Sequence, residues 1–136
     1  MMISTRGRYA LRFMIDLAEN GCGKYIPLKE AADRQGISLK YLEGILPVLV
    51  KNGLISGVHG KGGGYRLARS PEQYTIGEIL RLTENSLAPV ACLENKSEPC
   101  AKAQNCRTLN MWKNFYKLTN DYFDSIHLSD LMAKDE

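Results

Sequence analysis

The chain has 136 residues, of which 44% are hydrophobic, 24% charged and 8% aromatic, and its formal net charge is +3. That length fits one domain, or one domain with an appended arm, and the composition excludes disordered, collagen-like and low-complexity classes. No apolar run approaches the roughly 18 residues of a membrane span, and the start Met1-Met2-Ile3-Ser4-Thr5-Arg6 has no secretion-signal core, so a soluble, cytoplasmic protein is expected.

In chain order, residues 5–19 read as a helix with broad apolar faces (Tyr9, Leu11, Phe13, Met14, Ile15, Leu17, Ala18), ended by Asn20-Gly21. Pro27 precedes a short helix from Leu28 to Gln35, closed by Gly36. Ser38 is a good N-cap for a third helix starting at Leu39, whose apolar positions are Leu42, Ile45, Leu46, Leu49 and Val50; Asn52-Gly53 stops it. Gly44 and Pro47 sit awkwardly inside it, because proline lacks a donor and crowds the preceding turn, so a kink or a separate helical piece is expected near Pro47. Residues 54–58 and 65–68 alternate around the tip His59-Gly60-Lys61-Gly62-Gly63-Gly64 and read as a hairpin. Thr75-Ile76-Gly77-Glu78 has capping-box spacing and opens a helix to about Thr83. From Glu84 to Asn105 no periodicity holds; a loop of this length in so small a domain is functional or disordered. A long helix follows from about Arg107 to Ile126, then a short one from Leu128 to Met132. No internal repeat is present.

The order helix, short helix, tight turn, helix, hairpin describes a winged helix-turn-helix. Ala32 is small where two helices cross, Gly36 supplies the turn, and Ile37, Leu42 and Ile45 occupy the positions that lock one helix on the other. Lys40, Tyr41 and Glu43 mark the exposed face near the N-terminus of the second helix, where base edges are reached: glutamate accepts from cytosine, and lysine contacts phosphate or guanine. The tip offers backbone N–H groups and one cation to a phosphate or a minor groove. It lacks the Gly-Lys-Ser/Thr ending of a nucleotide-binding loop. Charge agrees with an anionic partner for the front half: residues 1–81 carry 12 Lys and Arg against 7 Asp and Glu, residues 82–136 carry 6 against 8.

Of the four cysteines, Cys22 lies in a glycine turn and is read as incidental, whereas Cys92, Cys100 and Cys106 are spaced Cys-x7-Cys-x5-Cys. Structural zinc usually shows a Cys-x2–4-Cys knuckle, absent here. Iron–sulfur ligands tolerate longer spacings, and soft thiolates suit them. A thiol switch and unliganded loop cysteines stand beside that reading. There is no Cys-x2-Cys redox pair and no nucleophile–base pair, so an enzyme is not expected.

Three stretches carry a family resemblance: Ile3-Ser4-Thr5-Arg6-Gly7-Arg8-Tyr9-Ala10-Leu11-Arg12, Ser38-Leu39-Lys40-Tyr41-Leu42-Glu43 and Gly60-Lys61-Gly62-Gly63-Gly64-Tyr65. Over about residues 1–132 the chain resembles the Rrf-two family of winged-helix transcription regulators, whose members include IscR, NsrR and CymR. The resemblance implies a homodimer on near-palindromic promoter DNA, with no small-molecule substrate. It puts Ser38, Lys40, Tyr41 and Glu43 on the recognition helix, His59, Gly60, Lys61, Gly62 and Gly63 in a minor-groove wing, and Arg6 and Arg8 near the phosphate backbone. It also implies an iron–sulfur cluster, 2Fe–2S or 4Fe–4S, on Cys92, Cys100 and Cys106, the first gap being two residues longer than in the IscR pattern. Leu109 stands where IscR-like members have a histidine, and Arg8 where NsrR-like members have an aspartate, so no fourth ligand carries over. Glu94, Glu98, Asn105, a partner residue, a small thiol or water remain open for it. CymR-like members, which carry no cluster and answer to a partner enzyme, define the alternative: a cluster-free regulator of sulfur or cysteine metabolism, controlled by a partner protein or by thiol oxidation.

The last helix is apolar on more than one face, through Trp112, Phe115, Tyr116, Leu118, Tyr122, Phe123 and Ile126. One domain needs a single apolar stripe, so an identical helix is the expected partner, with Leu109, Trp112, Tyr116 and Phe123 as the interface. Such a dimer spaces two recognition helices about 34 Å apart. The expected architecture is mainly α with a small β-hairpin wing: a winged helix-turn-helix domain (1–83), a cysteine-bearing sensor loop (84–106), and a long C-terminal dimerisation helix with its tail (107–136).

Overall fold

The computed structural model describes residues 2–94 and 106–133. Its helices are α1 (Thr5–Gly21), α2 (Leu28–Gln35), α3 (Leu39–Lys51), α4 (Ile76–Thr83) and α5 (Leu109–Ser125); the hairpin is β1 (Ile55–Val58) and β2 (Gly64–Leu67). Short 3-10 turns occupy Pro71–Gln73, Ala91–Leu93 and Leu128–Leu131. The strands pair antiparallel, with Ile55 opposite Leu67 and Val58 opposite Gly64.

Capping decides most boundaries. Ser4, Ser38 and Thr75 each accept a hydrogen bond from the backbone N–H three residues on, satisfying a donor that the first helical turn leaves orphaned. Thr75 makes only half of the expected capping box, because the Glu78 carboxylate turns away to Arg69 at 2.6 Å. Gly36 closes α2 in the left-handed conformation (φ 64°). α1 runs through Gly21, and Cys22 takes the left-handed cap at φ 47°, a conformation in which a non-glycine residue is uncommon. α3 passes through Pro47 as one helix rather than two pieces; the ring lies on an exposed face.

The core is built by α1, α3 and α4 around Phe13, Met14, Leu42, Leu49, Leu54, Ile79 and Leu80. Ala31 and Ala32 are buried where α2 meets α1, and Ile37, Leu42 and Ile45 are buried as the turn spacing predicts. One charge lies inside. Asp16 is 0% exposed and accepts from Arg34 Nε (3.0 Å) and Nη2 (2.8 Å) and from Gln35 Nε2 (3.0 Å), so α2 is bolted to α1 through a satisfied carboxylate. Tyr74, also fully buried, donates its hydroxyl to Leu54 O (2.5 Å) and accepts from the Ala68 and Arg69 N–H groups (3.0 Å each), pinning both ends of the hairpin.

α5 packs on α4. Arg81 of α4 forks onto Asp124 (2.8 and 2.9 Å) and reaches Asn120 (3.0 Å). Gly77 makes that approach possible, since a Cβ there would collide with the Asp124 carboxylate. The Arg81 hydrogen bond holds the Asp124 carboxyl below the usual carboxylate range, against a smaller opposing effect of burial. Among the described residues, no helix is long and apolar enough to cross a membrane.

Candidate nucleic-acid interface and cysteine segment

Arg6, Ser38, Lys40 and Tyr41, separated by up to 35 positions in sequence, line one shallow depression of about 430 Å³ together with Gly44 and Ile45. The N-terminus of α3 and the first turn of α1 therefore present one surface carrying two cations. Tyr41 is held there by an edge-on contact with Tyr9 of α1, ring centroids 5.3 Å apart, and Arg12 stacks over Tyr9 at 5.3 Å. Arg12 also donates to the Gln35 carbonyl, so α1, α2 and α3 meet at this point. Tyr9 was not singled out as a site residue from sequence; its aromatic type at a helical apolar position reads as core.

Glu43 faces a neighbouring depression with Leu28, Leu46, Pro47, Val50 and Tyr65, between α3 and the wing. Arg8 is exposed on α1 and donates to Thr5 Oγ1 at 3.0 Å. At the wing tip, His59, Gly60, Lys61 and Gly62 are exposed and Gly63 is half-buried. The tip glycines divide by physical cause. Gly60 and Gly62 have φ of 95° and 79°, where a side chain is strained. Gly63 instead admits close backbone approach, since a Cβ there would collide with Val58 O, and Gly64 combines both causes, with φ of 154° and a Cβ that would collide with Ile26 O. Ile26 and Tyr65 exchange two backbone hydrogen bonds of 2.8 Å, which fasten the wing to the segment before α2.

Cys92 lies half-buried in the 3-10 turn Ala91–Leu93, and Cys106 half-buried three residues before α5, its sulfur 3.5 Å from Thr108 Oγ1. Cys100 falls outside the described residues, as do Glu98 and Asn105. Among the described residues no three His, Cys, Asp or Glu side chains converge as a metal site. Two soft thiols nevertheless bracket the segment that carries the third, a donor set suited to iron–sulfur chemistry. The two histidines lie elsewhere: His59 is at the wing tip, and His127 is engaged with Asp130, whose carboxylate accepts from its backbone N–H at 2.8 Å.

On α5, Tyr116 and Phe123 pack against the chain's own core, while Leu109 and Trp112 are half-buried. The exposed apolar stripe is Met111, Phe115, Leu118 (68% exposed) and Tyr122 (63%). Its spacing of four, three and four places these side chains along one face. That spacing was readable in the sequence, but which of two apolar faces meets α4 was not.

A sequence profile of the Rrf2 family, described as iron-dependent transcriptional regulator, matches residues 3–134. The HTH-type transcriptional regulator IscR of Aliivibrio salmonicida is 34% identical over 136 residues, all of this chain and 80% of that protein. The IscR of Vibrio cholerae is likewise 34% identical, with 78% of its length covered. Among solved structures, CymR, the global cysteine regulator of B. subtilis, aligns with a TM-score of 0.79 at 32% identity, over 100% of this chain and 99% of that one. IscR of T. potens aligns with a TM-score of 0.76 at 34% identity, over 99% and 94% of the two chains. With a helix-turn-helix and wing in place and similarity running over the whole of this chain, the chain belongs to the Rrf2 family of DNA-binding transcription regulators and is not an enzyme.

Proposed function

We propose that the chain works in the cytoplasm as a homodimer that binds double-stranded promoter DNA, with DNA affinity coupled to the state of an iron–sulfur cluster on Cys92, Cys100 and Cys106. The proposal divides the chain into a reading domain (1–83), a sensing segment (84–106) and a dimerising arm (107–136). The observation that carries the DNA part is the convergence of Arg6, Ser38, Lys40 and Tyr41 on one exposed depression. Lys40 and Tyr41 reach base edges or phosphate in the major groove, Ser38 and Arg6 contact the backbone beside them, and Arg8 extends that contact along α1. Glu43 reads the edge nearest the wing. His59, Gly60, Lys61, Gly62 and Gly63 lie along the minor groove, where Lys61 supplies charge and the glycines let backbone N–H groups approach.

The exposed stripe on α5 supports self-association. Met111, Phe115, Leu118 and Tyr122 meet the same residues of a second copy, with Leu109 and Trp112 at the edge of the contact and Tyr116 and Phe123 backing it from the protomer's own core. The donor chemistry of the cysteine segment supports the sensing part. A cluster bound by these thiolates supplies a centre sensitive to iron supply, oxidants and nitric oxide. A coupling of about 1–3 kcal/mol between that segment and the reading heads suffices for regulation.

Anaerobic purification of the full chain, followed by iron and sulfide analysis and a visible absorption spectrum, tests the cofactor. The expected result is a brown protein whose absorption disappears in Cys92→Ala and Cys100→Ala. A colourless, iron-free anaerobic preparation that binds its duplex with full affinity overturns the cluster and favours control by a partner protein or by thiol oxidation.

A further inference from the structure

The first turn of α1 is not held by α1 alone. Ser4, its N-cap, accepts from the Gly7 N–H (3.3 Å), and its own two donors are both taken by one distant oxygen: Glu84 Oε1 accepts from the Ser4 backbone N–H at 2.8 Å and from the Ser4 hydroxyl at 2.9 Å. Glu84 caps the C-terminus of α4, where its N–H donates to Leu80 O, and is the first residue of the segment leading to Cys92. The carboxylate passes over Gly7, which is buried; a Cβ at that position would collide with Glu84 Oε1. Gly7 lies within α1 with no positive φ, so its lack of a side chain is explained by room for Glu84, with the buried Leu80 also close by, and not by backbone freedom. Its neighbour Arg6 is one of the cations of the recognition depression, and Tyr9, two residues on, holds Tyr41.

We propose that Glu84 is a positioning residue for DNA binding: by clasping Ser4 across Gly7, it fixes the first turn of α1 so that Arg6 is delivered to the phosphate backbone beside the recognition helix. The proposal rests on the DNA-binding face assigned above. It deepens that assignment by giving the residue that opens the cysteine segment a direct hold on the reading head. Helix propensity favours alanine over glycine at position 7, so in this arrangement room for the clasp takes precedence over local helix stability.

The test uses the full chain and a duplex of about 30 base pairs, three helical turns, enriched by the wild-type protein from a random-sequence pool. Binding is followed by fluorescence anisotropy over a range of salt concentrations, and folding by circular dichroism melting. Glu84→Ala is expected to weaken binding about tenfold and to lower the salt slope by about one, the signature of one lost phosphate contact. Glu84→Gln, which keeps the accepting oxygen, restores most of the affinity. Gly7→Ala leaves Glu84 in place but displaces its carboxylate, and it favours the helix, so a matching loss of affinity in a protein that melts no lower separates positioning from folding. Arg6→Ala weakens the wild type about tenfold and adds little to Glu84→Ala. Full additivity of the two substitutions, or unchanged affinity in Glu84→Ala and Gly7→Ala, overturns the proposal. Arg6→Ala without effect, while Lys40→Ala weakens binding, overturns the proposal but leaves the DNA-binding reading standing. A wild-type chain that enriches no duplex overturns both.

Discussion

α3 and α5 are both well-formed helices, yet they end in opposite states. α3 sends Leu42, Ile45, Leu46 and Leu49 into the core, each no more than 5% exposed. α5, longer by four residues, has no fully buried side chain. Its inner face, with Tyr116 and Phe123, reaches only partial burial against the core, while Met111, Phe115, Leu118 and Tyr122 stay exposed. Polar contacts differ in the same sense. The ion pair that ties α2 to α1 uses a carboxylate with no exposure, whereas the Arg81–Asp124 pair tying α5 to α4 has side chains 41% and 46% exposed. The helix-turn-helix thus completes its core within one chain, while the outer face of α5 is left in water. Apolar area left in water contributes nothing to stability until it is buried, at about 25 cal/mol per Å².

The sharpest way to break that contrast is to put a charge on the arm. Leu118→Glu is expected to remove about 3 kcal/mol of association free energy, because a carboxylate opposite its own copy is desolvated without a partner. Sedimentation should show a monomer at concentrations where the wild type is dimeric, and the wild type's melting temperature, but not the variant's, should rise with protein concentration. An unshifted sedimentation profile assigns the interface to another surface.

Asp16→Ala tests the opposite end. Removing the buried acceptor leaves the Arg34 and Gln35 donors unpaired and opens a cavity, an expected loss of about 2 kcal/mol seen in chemical denaturation. That loss should be independent of protein concentration when measured on the Leu118→Glu background, which marks it as a property of the single-chain core.

The smallest expected effect is on pH. Arg81 holds the Asp124 carboxyl below its usual range, so the unfolded chain takes up the proton more readily than the folded one. The pair's contribution is therefore fully present above the unfolded value of about 3.9. It is lost as pH falls through the still lower folded value. Exposure of both partners keeps the effect modest. Asp124→Asn should remove this part of the acid dependence of melting and leave the neutral-pH recognition face unchanged, as monitored by duplex affinity.

Local signals account for most of the fold. Caps at Ser38 and Thr75, the left-handed stop at Gly36, and apolar spacing in α1 and α3 act within a few residues, so they are legible without tertiary context. The same holds for the hairpin and for the grouping of Lys40 and Tyr41 on one helical turn. The misreadings have a common cause. Local rules allow a separate helical piece at Pro47 and a full capping box at Thr75, and the structure shows one continuous α3 and half a box. α3 continues through Pro47, whose ring is exposed, and Cys22 rather than Gly21 takes the left-handed cap. Glu78 is drawn to Arg69, and no spacing rule links residues nine positions apart across a turn.

The sequence by itself determined the winged helix-turn-helix, the cationic front half and the bracket of thiols around residues 92–106, since periodicity, capping and composition are properties of neighbouring residues. Only the tertiary structure decided which apolar face of α5 is left over, why Gly7 lacks a side chain, and that Glu84 reaches back across the chain to Ser4. Those outcomes depend on contacts between residues as many as 80 positions apart, whose partners are chosen by packing and not by pattern.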